Sequence, residues 1–287
     1  MRGEDIARLV ALAAIWGASF IFLRALAPVL GPVATAAWRV TIAGAALVAW
    51  LRVAGVDAEL RRHWRAFLVI GIVNSALPFL LFAFAAVHLP ASYSVILNTA
   101  TPLFAAVLSA VWLDERLTAL RVAGLAAGAV GVALVTGAGP VAPDAMFGWA
   151  VAACLGAALC YALAGIYIKR HAGGAGPMAI AGWSQAFAAA ALLPLTPFAP
   201  PPGTVTPGVI ANVLALALLC SAFAYLLYYR LIADVGPTRA MTVTFLMPLF
   251  GMVWSVLFLG ESVTLPMIAG CALIVGGTAL VVRRRAA

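Results

Sequence analysis

PLFAAVLSAVWLDERLT, residues 102–118, returns as PLFGMVWSVLFLGESVT at residues 248–264. The shift is 146 positions: Pro102-Leu103-Phe104 falls on Pro248-Leu249-Phe250, Ser109 on Ser255, Leu113 on Leu259, Glu115 on Glu261 and Thr118 on Thr264. Further on, Gly124 meets Gly270 and Gly131 meets Gly277. At a shift of 145 the earlier parts agree: Gly31-Pro32 with Gly176-Pro177, Trp38 with Trp183, Arg24 with Lys169. A chain that repeats itself at half its length, in apolar segments, has the organisation of a transporter built from two related halves, here 1–140 and 141–287.

Composition points the same way. The chain is 66% hydrophobic and 9% charged, with a mean hydropathy of +1.12, too little polar surface to coat a soluble globule of this length. Charges, Pro and Gly mark off ten apolar runs near the roughly 20 residues that cross a hydrocarbon core. They are 6–27, 33–51, 64–87, 91–113, 120–136, 147–168, 178–195, 209–231, 238–259 and 265–282, five to each half. The expected fold is therefore an all-α polytopic membrane protein of ten transmembrane helices.

Fifteen of the seventeen Lys and Arg fall on one side of this ladder: Arg2, Arg8, Arg52, Arg61, Arg62, Arg65, Arg116, Arg121, Lys169, Arg170, Arg230, Arg239 and Arg283 to Arg285. The opposite loops hold none, and Arg24 and Arg39 lie near or within spans. The positive-inside rule makes the basic side cytoplasmic and both termini with it. Net charge +8 is then a topology signal; nucleic acid as a partner would need a folded basic face with stacking aromatics. Five spans per half is odd, so the second copy is inverted. Glu115 is followed by Arg116 on the basic side, and its counterpart Glu261 by Ser262 on the other.

The run from Leu80 through Pro102-Leu103-Phe104, Glu115-Arg116-Leu117-Thr118 and Gly124 to Gly131 resembles the EamA repeat of the drug/metabolite transporter superfamily. So do Ile15-Trp16-Gly17-Ala18-Ser19-Phe20 and Trp38-Arg39. The resemblance covers the whole chain, twice, and is greatest to ten-helix exporters of the YddG amino-acid type. It implies a basket in which helices 1–4 and 6–9 surround a central cavity while helices 5 and 10 lie outside, and efflux of small metabolites. The second copy departs from it, with Ser184 standing for Arg39 and Phe245-Leu246-Met247 before the proline.

No Asp or Glu lies inside a span, which argues against proton coupling through a buried carboxylate; the nearest titratable candidate is His88. Arg39, roughly 9 Å into the second span at 1.5 Å per residue, suits a substrate carboxylate taken bidentately, or else snorkels or pins helix-end carbonyls. Arg24 reads as an interface anchor. Asn74 and Asn98 need a partner helix or a watery cavity, and Asn98 falls on Thr244. Phe79 falls on Tyr225, Phe82 on Tyr228, and Trp16 near Tyr161. These aromatics suit a cavity for apolar or aromatic amino acids, or else line an interface belt. Gln185 is a mid-span amide whose counterpart at the shift of 145 is Val40.

Pro102 and Pro248 should kink helices 4 and 9 and serve as hinges. Gly124-x-x-x-Gly128, with Gly131 and Gly276-Gly277, suits packing within each half or a dimer seam. The four cysteines read as small core residues, with no metal set and no cofactor expected. Residues 194–208 read as a stiff outer loop. An embedded enzyme would need a carboxylate pair, metal set or activated nucleophile, which the spans do not offer. The reading is a bacterial inner-membrane exporter of small amphipathic metabolites, amino acids such as Phe, Trp, Tyr and Met, monomeric or homodimeric. A lipid or lipid-linked sugar flippase, or a sugar or nucleotide-sugar permease, is the alternative.

Overall fold

The computed structural model describes residues 2–56, 59–113, 115, 117–141 and 144–282; Asp114, Arg116 and Arg283 to Arg285 lie outside the described residues. Every regular element among those described is helical. Among the described residues eight helical stretches are long and apolar enough to cross a membrane, and one shorter apolar helix accompanies them.

The first, α1 (Gly3–Val53), has 51 residues. At 1.5 Å per residue it would reach roughly 76 Å, more than twice a hydrocarbon core. It is broken at Gly31, where φ 77 and ψ 160 leave the helical region. Glycine adopts that backbone without a Cβ clash, and Pro32 has no N–H to leave unpaired beyond the break. The arms 3–30 and 32–53 correspond to the first two expected spans.

Elsewhere α2 (Leu60–Gly71) passes through a π-turn (Ile72–Ala76) into α3 (Leu77–His88). Then come α4 (Ala91–Asn98), α5 (Thr101–Trp112) and α6 (Ala119–Gly137). The second half runs α7 (Ala145–His171), α8 (Pro177–Leu192), α9 (Pro207–Leu214), a longer π-segment (Ala215–Phe223), and α10 (Ala224–Val235). It ends with α11 (Pro237–Ala240), α12 (Val243–Leu259) and α13 (Leu265–Val282). The outer stretch after α8 is not wholly loop: Leu193–Phe198 forms a 3-10 turn.

The fourth expected span is not one kinked helix. It divides at Thr99–Ala100, and Pro102 follows in the first turn of α5, where a missing N–H costs nothing because that donor has no intrahelical partner. Pro248 does sit inside α12. The two prolines that match in sequence therefore differ in structure.

The glycine face of α6 joins the halves rather than packing within one. A Cβ on Gly124 would stand 2.5 Å from the Gly277 carbonyl oxygen, and one on Gly131 2.6 Å from that of Gly270. Residues that match across the repeat thus interlock crosswise, α6 on α13, at backbone contact.

One large apolar cluster joins Leu26 and Leu30 of α1, Phe82 and Leu89, Leu97 of α4 and Cys154 of α7, and it continues through Ala106 to Val281 near the end of α13. Two smaller clusters lie toward the arginine-rich end. One holds Leu9 and Leu12 with Leu231 and Val243; the other holds Phe67 and Ile70 with Ala172 and Ile180.

Candidate functional site

Midway through the bundle, two side chains reach from opposite halves into each other's π-turns. Arg39 Nε donates to Ser221 Oγ at 3.0 Å, and Gln185 Nε2 donates to Ser75 Oγ at 3.0 Å. Arg39 and Gln185 are 146 positions apart, and so are Ser75 and Ser221. The same bond is thus made twice, with partners exchanged. This corrects the pairing of Gln185 with Val40 and of Arg39 with Ser184: the structural counterpart of Arg39 is Gln185.

The local backbone explains the reach. Each serine sits in a π-turn, Ser75 in Ile72–Ala76 and Ser221 in Ala215–Phe223. The extra residue of a π-turn re-aims the side chains that follow it and loosens the carbonyl ladder. Ser221 Oγ in turn donates to the Leu216 carbonyl at 3.2 Å, five residues back. That commits its proton and leaves lone pairs for Arg39. Close approach of α8 to its neighbours is granted by glycines: a Cβ on Gly71 would meet the Ser184 carbonyl oxygen at 2.5 Å, and one on Gly44 the Ala186 nitrogen at 2.9 Å.

The Arg39 guanidinium is buried, 7% exposed, and lies over the Phe79 ring at 3.7 Å from its centroid, a cation–π contact. Tyr161, Cys220 and Tyr225 are within electrostatic range of it. Among the described residues its side chain makes one hydrogen bond, through Nε; both Nη groups are left for something else. Gln185 mirrors this. Its Nε2 also reaches the Tyr225 hydroxyl at 3.4 Å, while Oε1 is buried without a partner. Turning the amide over would only move the open atom from oxygen to nitrogen. A buried amide atom left unpaired costs about 1–3 kcal/mol, which a ligand bonding to it would recover.

Aromatic rings continue outward from this pair. Phe82 lies against Tyr161 with centroids 6.2 Å apart and edge-on to Phe20 at 5.3 Å. Tyr225 stacks on Tyr229 at 6.2 Å, Tyr229 meets Tyr228 at 5.6 Å, and Tyr228 meets Trp16 at 5.1 Å. Trp16, Tyr161, Tyr225 and Tyr228 are each only half-buried. Of the residues expected to form the site, the structure therefore brings together Arg39, Phe79, Phe82, Tyr161, Gln185 and Tyr225, with Trp16 and Tyr228 on the same aromatic chain. Ser75 and Ser221 join them, unforeseen although the shift of 146 pairs them.

Three expected residues are not joined to this group by any bond among the described residues. Asn74 lies in the π-turn beside Ser75. Asn98 ends α4, its Oδ1 buried and unpaired. Thr244 Oγ1 donates back to the Met241 carbonyl at 2.8 Å. His88 lies in the last turn of α3 against Phe84, 5.1 Å between centroids. Arg24, expected as an interface anchor, also caps a helix: its Nη1 donates to the Ala86 and Val87 carbonyls at 2.7 and 3.0 Å, closing the end of α3.

One further tie crosses between halves, on the face away from the arginines. Glu261 accepts from Ala91 N at 2.7 Å, Ser92 N at 3.1 Å and Ser92 Oγ at 2.9 Å. A carboxylate at the start of α4 satisfies N–H groups the helix cannot and meets the positive end of its dipole. Its sequence match, Glu115, is engaged differently, with Arg121 at 3.2 Å and Lys169 at 4.0 Å.

Comparison with known proteins agrees with this picture. The model of the EamA-like transporter family matches residues 6–137 and again 148–283. The chain is 27% identical to the uncharacterized transporter YvbV of Bacillus subtilis over 95% of its own length and 90% of that protein's. It is also 27% identical to a probable terminal-alkyne amino-acid exporter of Streptantibioticus cattleyicolor, covering 96% and 92%. An uncharacterized transporter of Archaeoglobus fulgidus is 23% identical, covering 94% and 95%. A solved crystal structure shares the fold with TM-score 0.68 at 20% identity, covering 98% of this chain and 96% of that one. The chain is a multi-pass membrane protein and belongs to the EamA-like transporter family.

Proposed function

We propose that the chain is an exporter of small amphipathic metabolites, amino acids with apolar or aromatic side chains foremost, and that the Arg39–Gln185 pair is its substrate site. The observation that carries this is the Arg39 guanidinium, buried mid-span, held by Nε alone and with both Nη groups open. A carboxylate fits that fork bidentately. The open Oε1 of Gln185 is an acceptor suited to an ammonium group, and the chain of rings from Phe82 and Tyr161 to Tyr228 and Trp16 suits an apolar side chain. A relative named as a probable amino-acid exporter supports the same substrate class.

Transport proceeds in this reading by alternating access between two inverted five-helix repeats, 1–140 and 141–287. The ten-span count follows if the arms of α1 on either side of Gly31 each span and α12 spans as well. The exchanged bonds of Arg39 and Gln185 are what an in-plane two-fold would produce. In this reading the conformation is the one closed away from the arginines, where the Glu261 tie joins the halves and Leu26, Leu30 and Leu89 pack in one core. By the positive-inside rule it opens to the cytoplasm of a bacterial inner membrane, with both termini on that side. The break beside Pro102 and the proline inside α12, Pro248, serve as the hinges in this reading. Among the described residues no protein carboxylate bonds to Arg39 or Gln185, which favours transport without proton coupling.

Uptake of radiolabelled Phe, Met and Trp into proteoliposomes, with and without an imposed pH gradient, tests this. Saturable uptake without a gradient is the expected result. Uptake that needs the gradient would overturn the uncoupled mechanism, and no uptake of any amino acid under either condition would overturn the substrate class.

A further inference from the structure

A polar cavity lies apart from the Arg39 site, at the arginine-rich end where α2 meets the end of α7. It has a volume of about 480 Å³ and is lined by Arg62, His63, Trp64, Arg65, Tyr167 and His171. No carboxylate is among its lining residues. Among the described residues neither Arg62 nor Arg65 is in a salt bridge. They stand three positions apart on one helix face, where like charges repel. His63 Nε2 is buried without a hydrogen-bond partner among the described residues. His171 is held flat against Tyr167, their centroids 4.5 Å apart and planes 20° from parallel.

We propose that this cavity binds a phosphate group, with Arg62 and Arg65 as its charged clamp and His63 Nε2 and the His171 imidazole as further polar contacts. Phosphate supplies what the lining lacks: negative charge between two unpaired guanidiniums, and several acceptor oxygens in a fork that Arg matches geometrically. Two sources carry that chemistry, the headgroup of an anionic phospholipid and free phosphate. Position favours the lipid. Trp64 is 45% exposed, with the Arg65 guanidinium 5.4 Å from its ring centroid, the pairing of aromatic ring and cation found at headgroup depth. Repeat-related residues 208–211 read Gly-Val-Ile-Ala, so the arginine pair has no counterpart in the second repeat.

The test is titration of the purified full chain in mild detergent with phosphatidylglycerol, phosphatidylcholine or inorganic phosphate, following the thermal unfolding transition. A ligand that binds only the folded state raises the transition with the logarithm of its concentration relative to Kd. Phosphatidylglycerol should raise it and phosphatidylcholine should not. Each arginine near an anionic surface strengthens binding about fivefold, so Arg62→Gln with Arg65→Gln together should need roughly twenty-five- to thirtyfold more lipid. Arg61→Gln, outside the cavity, should titrate like the unmodified chain. If the double variant does not fold, the single variants should each show the fivefold loss. Stabilisation by inorganic phosphate that phosphatidylglycerol does not exceed, lost in the same variants, supports the site and identifies free phosphate as its source. An equal loss in Arg61→Gln, or no response to either phosphate source, overturns the proposal.

Discussion

Glu261→Gln should release the closed face of the transporter. The carboxylate accepts three hydrogen bonds, at 2.7 Å from Ala91 N, 3.1 Å from Ser92 N and 2.9 Å from Ser92 Oγ. Bonds to an ionised acceptor contribute ~1.5–3 kcal/mol each and neutral ones ~0.5–1.5 kcal/mol. If the amide oxygen keeps the two donors of Ser92, the NH2 group faces the Ala91 N–H and that bond is lost. One deleted and two weakened bonds amount to about 4–5 kcal/mol in dry surroundings. Glu261 is half-buried, and solvent screening reduces this to about 2 kcal/mol. In the proposed alternating-access cycle only the closed conformation makes these bonds, so the balance between conformations should move about thirtyfold toward opening on that face.

The assay is labelling of a cysteine at Ala27, 1% exposed in the large core cluster, by an impermeant maleimide. The four native cysteines, three of them buried, are replaced by alanine in the reporter chain. Labelling should accelerate about tenfold or more in Glu261→Gln, the two-state shift being an upper bound. A labelling rate unchanged within about twofold, in a protein whose thermal unfolding is also unchanged, would refute the role of Glu261 as a latch.

Two structural predictions follow from close contacts. Gly124→Ala places a Cβ 2.5 Å from the Gly277 carbonyl and should destabilise the α6–α13 pair by ~1–3 kcal/mol in detergent unfolding. Gly137→Ala, with nothing within 4 Å, should be neutral or stabilising. Arg24→Gln should cost ~1–3 kcal/mol by leaving the Ala86 and Val87 carbonyls at the end of α3 unpaired, with Arg24→Lys recovering part of it; an unchanged transition would contradict that cap.

Much of the fold was legible because apolar length and the shift of 146 are long-range patterns that survive local irregularity. Where the reading failed, local backbone geometry had decided the outcome. Gly31 takes a positive φ within a run that remains helical on both sides, so the two expected spans meet at a break with no loop between them. Pro102 reads as a kink, yet the chain breaks earlier, at Thr99–Ala100, and proline occupies the cheap first turn. The site was half legible. Arg39, Gln185, Phe79 and Tyr225 stand out as polar or aromatic residues in apolar runs. Ser75 and Ser221 do not, because serine is ordinary in a membrane helix and only the π-turns aim them at their partners. Gln185 was paired with Val40 because the repeat slips between shifts of 145 and 146, one residue being enough to turn a helix by 100°. The exchanged hydrogen bonds resolve that register.

The measurement that bears most directly on the Arg39 site compares binding of an amino acid with that of its decarboxylated amine. For phenylalanine and phenethylamine, isothermal titration of the purified chain should favour the amino acid about thirtyfold or more, the cost of leaving a buried guanidinium unpaired. In Arg39→Gln that preference should vanish, while Arg39→Lys, a point charge without the fork, should keep only part of it. An Arg39→Gln protein that folds and still prefers the amino acid by the same factor would place the substrate carboxylate elsewhere and contradict the proposed site.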